Sequence, residues 1–403
     1  MNTENLTITV IGGGASAHTL IPLLSSSNYT VNILTRKPDL WSKEIELQYQ
    51  AINGAVIEKF HGTLNKISAE PEDVISESDV IFLCMPVSQY RIALHRIAAY
   101  INPEKDIYIG TVFGQAGFNW MVDEIKKTYT LENIITFSFG LIPWICRVKE
   151  YGKIGITYGV KPINIAAVEP KTYFNFLNEH IFEKVCLDWF GKGGFKQADN
   201  FLSLTFSVDN QILHPARCYG LFMRYGAEWE LLEDVPFFYK DFDQLSADIL
   251  ERLDADYSKI RKSIREKYPK KKFTYMLDYL TQDRYTNKTK EYTILESILC
   301  SETLGAIKAP TVKTKTGKWK IDTNHRFFTD DIHYGLCIAK WVATRFKLDV
   351  PTIDKIIAWA QELRQETLIE GNKLNLDSVD LSQRFKSGIP YFYGYRTIES
   401  IVD

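Results

Sequence analysis

A glycine-rich turn near the start of the chain has the residue types and spacing that bind phosphate. In the stretch VIGGGASAHTL, Gly12, Gly14 and Ala17 fit the pattern G-x-G-x-x-A. Gly12 allows a tight turn, Gly14 lets the backbone approach a pyrophosphate, and Ala17 lets a helix pack closely on the preceding strand. The helix that follows presents free N–H groups and the positive end of its dipole to an anion. We therefore predict a dinucleotide site that includes Gly13 and Ala15, in preference to a glycine-rich turn without a ligand.

The end of the second predicted strand bears on which dinucleotide binds. NAD-binding folds usually carry an acidic residue there for the ribose hydroxyls, whereas this chain has Thr35, Arg36 and Lys37. A guanidinium and an ammonium suit the 2′-phosphate of NADP. We predict NADP(H) in preference to NAD(H), with a solvated basic turn as the alternative. Cys84 and Pro86, at the end of a later strand, are expected to contact the cofactor through backbone and shape.

A histidine directly before a proline is the second candidate for chemistry. His214 ends the stretch SVDNQILH, and Pro215 follows it. An imidazole titrates near neutrality, so it can remove a proton from one group and return it to another. Without further context a structural or surface role is the commoner one for a histidine, and the residue type alone does not decide between them.

The elements that would position these residues alternate between strands and helices in the first half of the chain. Apolar runs predict strands at 6–11, 30–34, 79–84, 106–110 and 133–139, with further strands at 153–159 and 182–188. Amphipathic segments predict helices at 17–25, 87–99 and 117–129. Continuous apolar strands joined by helical crossovers indicate a doubly wound, mainly parallel α/β sheet of the Rossmann type.

The pattern changes to helical periods after the glycine-rich segment at 189–200. We predict a Rossmann domain over residues 1–195 and a mainly α-helical domain over residues 196–403. The helical period recurs at 247–268, 292–307, 332–347 and 352–367. A chain of 403 residues, of which 45% are hydrophobic, is long enough to bury two cores.

Composition argues against several classes of protein. A net charge of −2 gives no electrostatic case for binding nucleic acid or an anionic membrane. The six cysteines are scattered without a Cys-x-x-Cys pair, so we expect no metal site, no disulfide framework and a reducing compartment. The first residues lack the pattern of a signal peptide, and Gly140 and Pro143 interrupt the longest apolar run. These features predict a cytoplasmic protein.

Six stretches, in order along the chain, resemble the octopine/nopaline (opine) dehydrogenase family. They are IGGGASAHTL, LTRKPDLW, FGQAGFNW, LIPWICRVKEYG, DNQILHP and RFFTDDIHYGL. The resemblance implies a Rossmann domain followed by a helical domain, with substrates bound in the cleft between them. It also implies a reductive condensation, in which the α-amino group of an amino acid joins a 2-oxo acid, commonly pyruvate. The product is an N-(1-carboxyalkyl) amino acid.

Two other functions remain as alternatives. One is a different two-domain NAD(P)-dependent dehydrogenase that acts on a hydroxy acid or a polyol phosphate, although no catalytic lysine motif stands out in the helical half. The other is a nucleotide-binding sensor without chemistry. For the favoured function we expect an amino acid and a 2-oxo acid as partners, no nucleic acid or membrane, and a monomer or homodimer.

The resemblance assigns roles to three residues of the second half. His214 matches the acid–base histidine of the family, and Asp331 matches the acidic partner that orients it. Arg326 matches the arginine that holds the carboxylate of the oxo acid with two parallel hydrogen bonds. A helix start capped by Thr329, with Asp330 and Asp331 in the first turn, is the alternative for the acidic pair.

The resemblance also points to residues that contact the amino acid. Gln115 and Cys146 fall at such positions, and a packing role is expected for Cys146 because no step of the reaction needs a thiolate. His18 is expected to support the cofactor loop. For Arg217 a substrate contact and a place on a helix surface both remain open.

Overall fold

The computed structural model of the protein describes residues 5–300, 307–377 and 386–402. The chain divides into two compact units, Met1–Leu204 and Thr205–Asp403. The first unit is built on a sheet, and the second is mainly helical.

The strands of the first unit form one sheet. They are β1 (Thr7–Gly12), β2 (Thr30–Leu34), β3 (Glu44–Gln50), β4 (Val56–Ser68), β5 (Val80–Cys84), β6 (Ile107–Thr111), β7 (Ile134–Phe139), β8 (Trp144–Glu150), β9 (Ile154–Val160), β10 (Ile163–Glu169) and β11 (Gly194–Gln197). Within the described residues their order is β11-β10-β7-β6-β5-β1-β2-β4-β3-β9-β8. Strands β2, β1, β5, β6 and β7 pair in parallel, whereas β7–β10, β3–β4 and β8–β9 are antiparallel.

The central strands explain why the sequence pattern was informative. Strands β5, β6 and β7 are buried over their whole length, and a strand buried on both faces reads as a continuous apolar run. The five central predicted strands lie within one residue of β1, β2, β5, β6 and β7. The predicted doubly wound, mainly parallel fold is confirmed.

Three helices lie at the predicted places between these strands: α1 (Ala15–Ser26), α2 (Tyr90–Ala98) and α3 (Phe118–Tyr129). Three short helices were not predicted: α4 (Phe174–Leu177), α5 (Leu187–Phe190) and α6 (Phe201–Thr205). The sequence-based domain boundary at 195/196 lies inside β11, which pairs in parallel with β10. The glycine-rich segment at which the sequence pattern changes therefore contributes an edge strand to the sheet.

The strand predicted at 182–188 is wrong. This segment forms helical turns over Asn178–Phe182, Glu183–Val185 and α5. Its side chains at Ile181, Phe182 and Val185 are fully buried. A spacing of three to four residues places side chains on one face of a helix, whereas a strand directs alternate residues to one face.

The second unit is mainly helical, as predicted. Its helices are α7 (Asn210–Tyr225), α8 (Gln244–Lys267), α9 (Tyr279–Asn287), α10 (Ile294–Leu299), α11 (Arg326–Thr329), α12 (Cys337–Arg345), α13 (Pro351–Arg364) and α14 (Glu399–Val402). Short strands complete it: β12 (Glu228–Trp229), β13 (Thr311–Lys313), β14 (Trp319–Ile321), β15 (Ile369–Glu370) and β16 (Lys373–Leu374). Helix α13 begins at Pro351, whose fixed φ suits the first position of a helix.

The helix predicted over 292–307 is only partly described. Helix α10 accounts for its first part, and residues 301–306 lie outside the described residues. None of the helices in the described ranges combines the length and the apolar character that crossing a lipid bilayer requires.

Candidate active site

The glycine-rich turn has the shape of a phosphate-binding loop. Gly12 has φ of 122°, and a Cβ there would collide with the carbonyl of Cys84 at the end of β5. A Cβ on Gly13 would lie 2.5 Å from the hydroxyl of Tyr151, whereas a Cβ on Gly14 would meet no described atom within 4 Å. The turn is therefore tight on one side and open beside Gly14, where helix α1 begins. These residues fit a dinucleotide pyrophosphate.

The buried side chain of His18 holds this turn in place. Its Nδ1 lies 2.9 Å from the carbonyl oxygen of Gly14, and its Nε2 accepts a hydrogen bond of 2.7 Å from the N–H of Gly152. Its ring also packs against Trp41 and Tyr151. Since Nε2 accepts, the imidazole is neutral with its proton on Nδ1, and burial lowers the pKa of His18 accordingly. His18 thus connects the backbone of the glycine-rich turn, at Gly14, to the backbone at Gly152.

Thr35, Arg36 and Lys37 follow β2 at the edge of the same loop. Thr35 is buried, and its hydroxyl would lie 3.3 Å from a Cβ on Gly13. Arg36 and Lys37 are exposed, and neither forms an ion pair with a carboxylate within the described ranges. The nearest aromatic contact is between the Lys37 ammonium and the ring of Tyr151, at 5.8 Å. Two cations are therefore available beside the turn.

The remaining predicted cofactor residues differ in exposure. Cys84 is buried, and burial raises the pKa of its thiol. Pro86 is exposed and precedes a 3₁₀ turn that leads into α2. Ala17 is fully buried, and Ala15, the first residue of α1, is partly buried. Cys84 and Ala17 are thus both closely packed in the first unit.

Gln115 and Cys146 are both buried in the first unit. Gln115 lies in the loop after β6 and is only 1% exposed. Cys146 lies in β8, where burial raises the pKa of its thiol and hydrogen bonds with the hydroxyls of Thr19 and Ser16 oppose the shift. The thiol remains protonated at neutral pH, which agrees with a packing role and not with a nucleophile.

In the second unit the structure joins His214 to Asp331. Helix α7 carries His214, and its Nδ1 lies 2.8 Å from Oδ2 of Asp331, which is 117 residues away in the sequence. The side chains are 0% and 5% exposed. Burial, and secondly the charge of Arg326, lower the pKa of His214 well below its ordinary value. Burial raises the pKa of Asp331 to about 7, although Arg326 opposes this shift.

Close approach of two backbone segments makes this pair possible. Asp331 precedes a π-helical turn, Ile332–Leu336, in which the Leu336 N–H donates to the Asp331 carbonyl at 3.1 Å. Such widened turns often occur at functional sites. A Cβ on Gly335 would collide with the side chain of Gln211, one helical turn before His214. Glycine at 335 therefore allows the turn to pack directly on α7.

Aromatic rings exclude water from the imidazole of His214. The ring of Phe327 stacks on it at 3.7 Å between centroids, and Phe238 packs edge-on at 5.6 Å. The ring of His325 packs edge-on against Phe327 at 4.3 Å between centroids. Burial, followed by the charge of Arg326, lowers the pKa of His325 to about 4. Both imidazoles are thus neutral at physiological pH.

Arg326 differs from these neighbours because it is exposed. It is the first residue of α11, and the guanidinium carbon lies 5.5 Å from the ring centre of Phe327. Within the described residues no carboxylate forms an ion pair with it. An arginine next to a buried acid–base pair, with its donors available, can bind an anion.

The structure corrects one expectation about this segment. Thr329 does not cap a helix, because α11 begins at Arg326 and has His325 as its N-cap. Asp330 is also buried, and its Oδ1 accepts a hydrogen bond from the Thr329 hydroxyl at 3.2 Å. Asp331 therefore faces His214 from the turn between α11 and the π-helical turn, directly before Ile332, and not from the first turn of a helix capped by Thr329.

Two further residues of this unit were not assigned from the sequence. The hydroxyl of Tyr239 lies 3.0 Å from Nε2 of His214. Arg217, for which two roles were open, is 1% exposed and bonds to backbone carbonyls of the segment that carries Tyr239. The surface interpretation of Arg217 is therefore wrong. The described residues contain no cluster of three or more side chains that could hold a metal ion.

Comparisons with known proteins agree with this architecture. Residues 197–364 match a family described as NAD/NADP octopine/nopaline dehydrogenase, alpha-helical domain. Residues 7–111 match a family described as NADP oxidoreductase, coenzyme F420-dependent. The second range lies within the sheet unit, and the first lies mostly within the helical unit.

Relatives match over nearly the whole chain. Tauropine dehydrogenase of Arabella iricolor is 25% identical, over 98% of this chain and 99% of its own. Octopine dehydrogenase of Pecten maximus is 26% identical, over 98% of each chain. A solved structure of octopine dehydrogenase with NADH and L-arginine has a TM-score of 0.80 at 22% identity, covers 98% and 97% of the two chains, and shows a shared fold. Residues 197–364 thus match the octopine/nopaline dehydrogenase helical domain, and opine dehydrogenases match the chain over nearly its whole length, which supports an NAD(P)-dependent oxidoreductase of the opine dehydrogenase kind.

Proposed function

We propose that this chain catalyses the reductive condensation of an amino acid with a 2-oxo acid to an N-(1-carboxyalkyl) amino acid. The observation that carries this proposal is the buried pair of His214 and Asp331, 2.8 Å apart, beside the exposed guanidinium of Arg326. A proton carrier and an anion-binding group are the two functions that such a condensation needs from a protein.

Arg326 binds the carboxylate of the 2-oxo acid. Its planar guanidinium donates two parallel hydrogen bonds, which fix the position and the plane of the anion. Binding also changes His214, because the charge of Arg326 contributes to lowering the pKa of the imidazole. A bound carboxylate neutralises that charge, so binding of the oxo acid raises the pKa of His214 and makes it a stronger base.

His214 acts first as a base and then as an acid. The neutral imidazole takes a proton from the ammonium group of the amino acid, which frees the amine to attack the carbonyl carbon. After the attack, a second proton moves from the new aminium nitrogen to the alkoxide oxygen, which gives the neutral carbinolamine. His214 then returns the first proton to the carbinolamine hydroxyl, the C–O bond breaks, and water leaves. Asp331 stabilises the imidazolium between these steps and keeps the proton of the neutral ring on Nδ1.

These steps leave an iminium ion whose C=N bond is ready for reduction. The nicotinamide dinucleotide supplies the hydride when it is bound. His214 returns to its neutral state before the reduction, so the pair is ready for another cycle. The phenyl ring of Phe327 keeps water from the imidazole throughout.

We infer that NADP(H) is preferred to NAD(H). Arg36 and Lys37 are exposed beside Thr35 and the glycine-rich turn, and they have no carboxylate partner within the described residues. An acidic residue at this place would repel the 2′-phosphate, whereas two cations attract it. The buried Gln115 and Cys146 are proposed to contact the amino acid, the first through its amide and the second through its shape.

Turnover with a panel of substrates tests the function. We expect the protein to oxidise NADPH in the presence of pyruvate and at least one amino acid, with little oxidation by either substrate alone. A His214→Ala variant should lose at least about 100-fold in kcat, the lower range for acid–base catalysis. No turnover with a broad panel of amino acids and oxo acids would contradict the proposal. Reduction of an oxo acid or a polyol phosphate precursor without any amine would favour the alternative dehydrogenase.

A further inference from the structure

The hydroxyl of Tyr239 occupies the side of His214 that faces away from Asp331. Nδ1 of His214 is hydrogen-bonded to the Asp331 carboxylate at 2.8 Å, so Nε2 is the ring nitrogen that can exchange protons with a substrate. Tyr239 lies 3.0 Å from that nitrogen. Any proton that His214 takes up or gives back therefore passes the position of this hydroxyl.

The direction of this hydrogen bond follows from the state of the imidazole. The neutral ring keeps its proton on Nδ1 and donates it to Asp331, so Nε2 has a lone pair and accepts. The hydroxyl of Tyr239 must then be the donor. The result is a chain of two hydrogen bonds, from Tyr239 through His214 to Asp331.

Buried Arg217 fixes the backbone around Tyr239. Its Nε donates to the carbonyl of Phe238 at 3.1 Å, and its Nη2 donates to the carbonyl of Asp241 at 2.6 Å. Its Nη1 lies 3.2 Å from a carboxylate oxygen of Asp243, the N-cap of α8. One guanidinium that is 1% exposed thus binds both sides of the tyrosine.

Three further contacts hold the same segment. The N–H of Phe242 donates to the carbonyl of Tyr239 itself at 3.1 Å. The N–H of Phe238 donates to the carbonyl of Ile307 at 2.6 Å, and the ring of Phe238 packs on Phe327 at 4.8 Å. The hydroxyl is therefore presented to His214 by a fixed backbone, as a preorganised catalytic contact requires.

We propose that Tyr239 relays protons between Nε2 of His214 and the substrate, and that Arg217 is the residue that positions it. This inference rests on the proposed function. In the first step the phenol oxygen takes a proton from the ammonium group of the amino acid while its own proton moves to Nε2. The amine attacks the carbonyl carbon, and a second proton moves from its nitrogen to the alkoxide oxygen, which gives the neutral carbinolamine. In the second step the imidazolium returns a proton to the phenol oxygen, which gives its proton to the carbinolamine hydroxyl. Water leaves, and Tyr239 and His214 are both neutral again.

A relay explains why a buried histidine can serve two different substrate atoms. The amine nitrogen and the carbonyl oxygen occupy different positions around one carbon, whereas the imidazole is fixed by Asp331, Phe327 and Phe238. A hydroxyl rotates about its C–O bond and can both accept and donate in one exchange. Tyr239 thus carries out the reorientation that the ring of His214 cannot.

The test compares Tyr239→Phe with wild type and with a control that loses the same atom elsewhere. Tyr285→Phe is the control, because its hydroxyl lies 3.3 Å from that of Tyr275 and makes no hydrogen bond with His214 within the described residues. For Tyr239→Phe we expect kcat to fall about 10- to 100-fold, less than for loss of His214, because a water molecule can replace the hydroxyl in part. The KM for the oxo acid should change little, since Arg326 is intact.

A second measurement separates a relay from a structural role. In protein labelled with ¹⁵N-histidine, the His214 signals, assigned with the His214→Ala variant, should report a neutral ring with hydrogen-bonded Nε2. Tyr239→Phe should shift the Nε2 resonance and change the pH at which it titrates, whereas Tyr285→Phe should leave both unchanged. The solvent isotope effect on kcat should also change only in Tyr239→Phe.

The outcomes separate this inference from the proposed function. A wild-type protein that turns over, with a Tyr239→Phe variant equal to it in kcat, pH profile and solvent isotope effect, would overturn the relay and leave the function standing. Absence of turnover in the wild type would overturn both. Loss of kcat together with a shifted Nε2 resonance, in a variant that melts with the wild type, would support the relay.

Discussion

Replacing Asp331 with asparagine removes the charge that faces His214 and keeps the size of the side chain. Their closest atoms are 2.8 Å apart, and both side chains are buried. Two unit charges about 4 Å apart attract by about 4 kcal/mol at an effective dielectric constant of about 20. Since one pKa unit corresponds to about 1.4 kcal/mol, the pKa of the imidazolium should fall by about 3 units. A step that passes through the imidazolium should then slow by up to about 1,000-fold.

The assay is kcat for oxidation of the reduced dinucleotide at saturating amino acid and oxo acid. Asp330→Asn is the matched control, because Asp330 is adjacent and buried but bonds to Thr329 and not to His214. We expect a small change in the control and a large loss in Asp331→Asn. The reasoning is refuted if folded Asp331→Asn keeps kcat within about tenfold of wild type, a barrier change of about 1.4 kcal/mol or less.

Measuring kcat of the wild type and of Asp331→Asn as a function of pH gives a second test of the role of the Asp331 charge. Burial raises the pKa of Asp331 to about 7, so the carboxylate is largely ionised only above that pH. Above pH 7 the wild type has the charge that asparagine lacks, and the deficit of the variant should be greatest. Below pH 7 the protonated carboxyl resembles an amide, so wild-type kcat should fall toward that of Asp331→Asn. A deficit that grows as the pH is lowered would contradict this assignment.

Three other substitutions give independent tests. Arg326→Met should raise the KM for the oxo acid about 100-fold, because two charge-assisted hydrogen bonds worth about 1.5 kcal/mol each are lost. An unchanged KM would show that Arg326 does not bind the carboxylate. Replacing Arg36 and Lys37 with alanine should lower the ratio of kcat/KM for NADPH to kcat/KM for NADH by about tenfold or more, which corresponds to at least about 1.4 kcal/mol. A constant ratio would exclude Arg36 and Lys37 as ligands of the 2′-phosphate. Gly335→Ala should lower the free energy of unfolding by about 1–3 kcal/mol, because its new methyl group collides with Gln211. It should also lower kcat, because the π-helical turn must move away from α7. An unchanged Tm in thermal unfolding would show that the surrounding side chains accommodate the methyl group without cost.

The fold could be predicted where burial alone dictates the sequence. Apolar runs located the central strands to within a residue because both of their faces are covered. The hairpin β3–β4 was missed because Glu44 and Glu46 interrupt its apolar residues. Ile45 and Leu47, which alternate with these glutamates, are nevertheless buried, so the alternation of a half-buried strand was the signal in the sequence.

The site could be predicted only in part. Nothing in the spacing of His214 and Asp331 indicates a contact across 117 residues, and the resemblance to a family supplied the pairing. Tyr239 had no signal of its own, because it is one of 22 tyrosines and stands in an aromatic stretch that reads as core. Arg217 remained undecided until its burial and its bonds to backbone carbonyls were known.

Identifying the product with an isotopically labelled reductant tests the central claim most directly. The reaction would contain wild-type protein, NADPH that carries deuterium as the transferable hydride, pyruvate and the best amino acid. The account predicts one equivalent of oxidised dinucleotide and a secondary amine with the mass of both substrates less one oxygen and with one deuterium on the former carbonyl carbon. Deuterium found in a hydroxy acid, with the amino acid recovered unchanged, would contradict it.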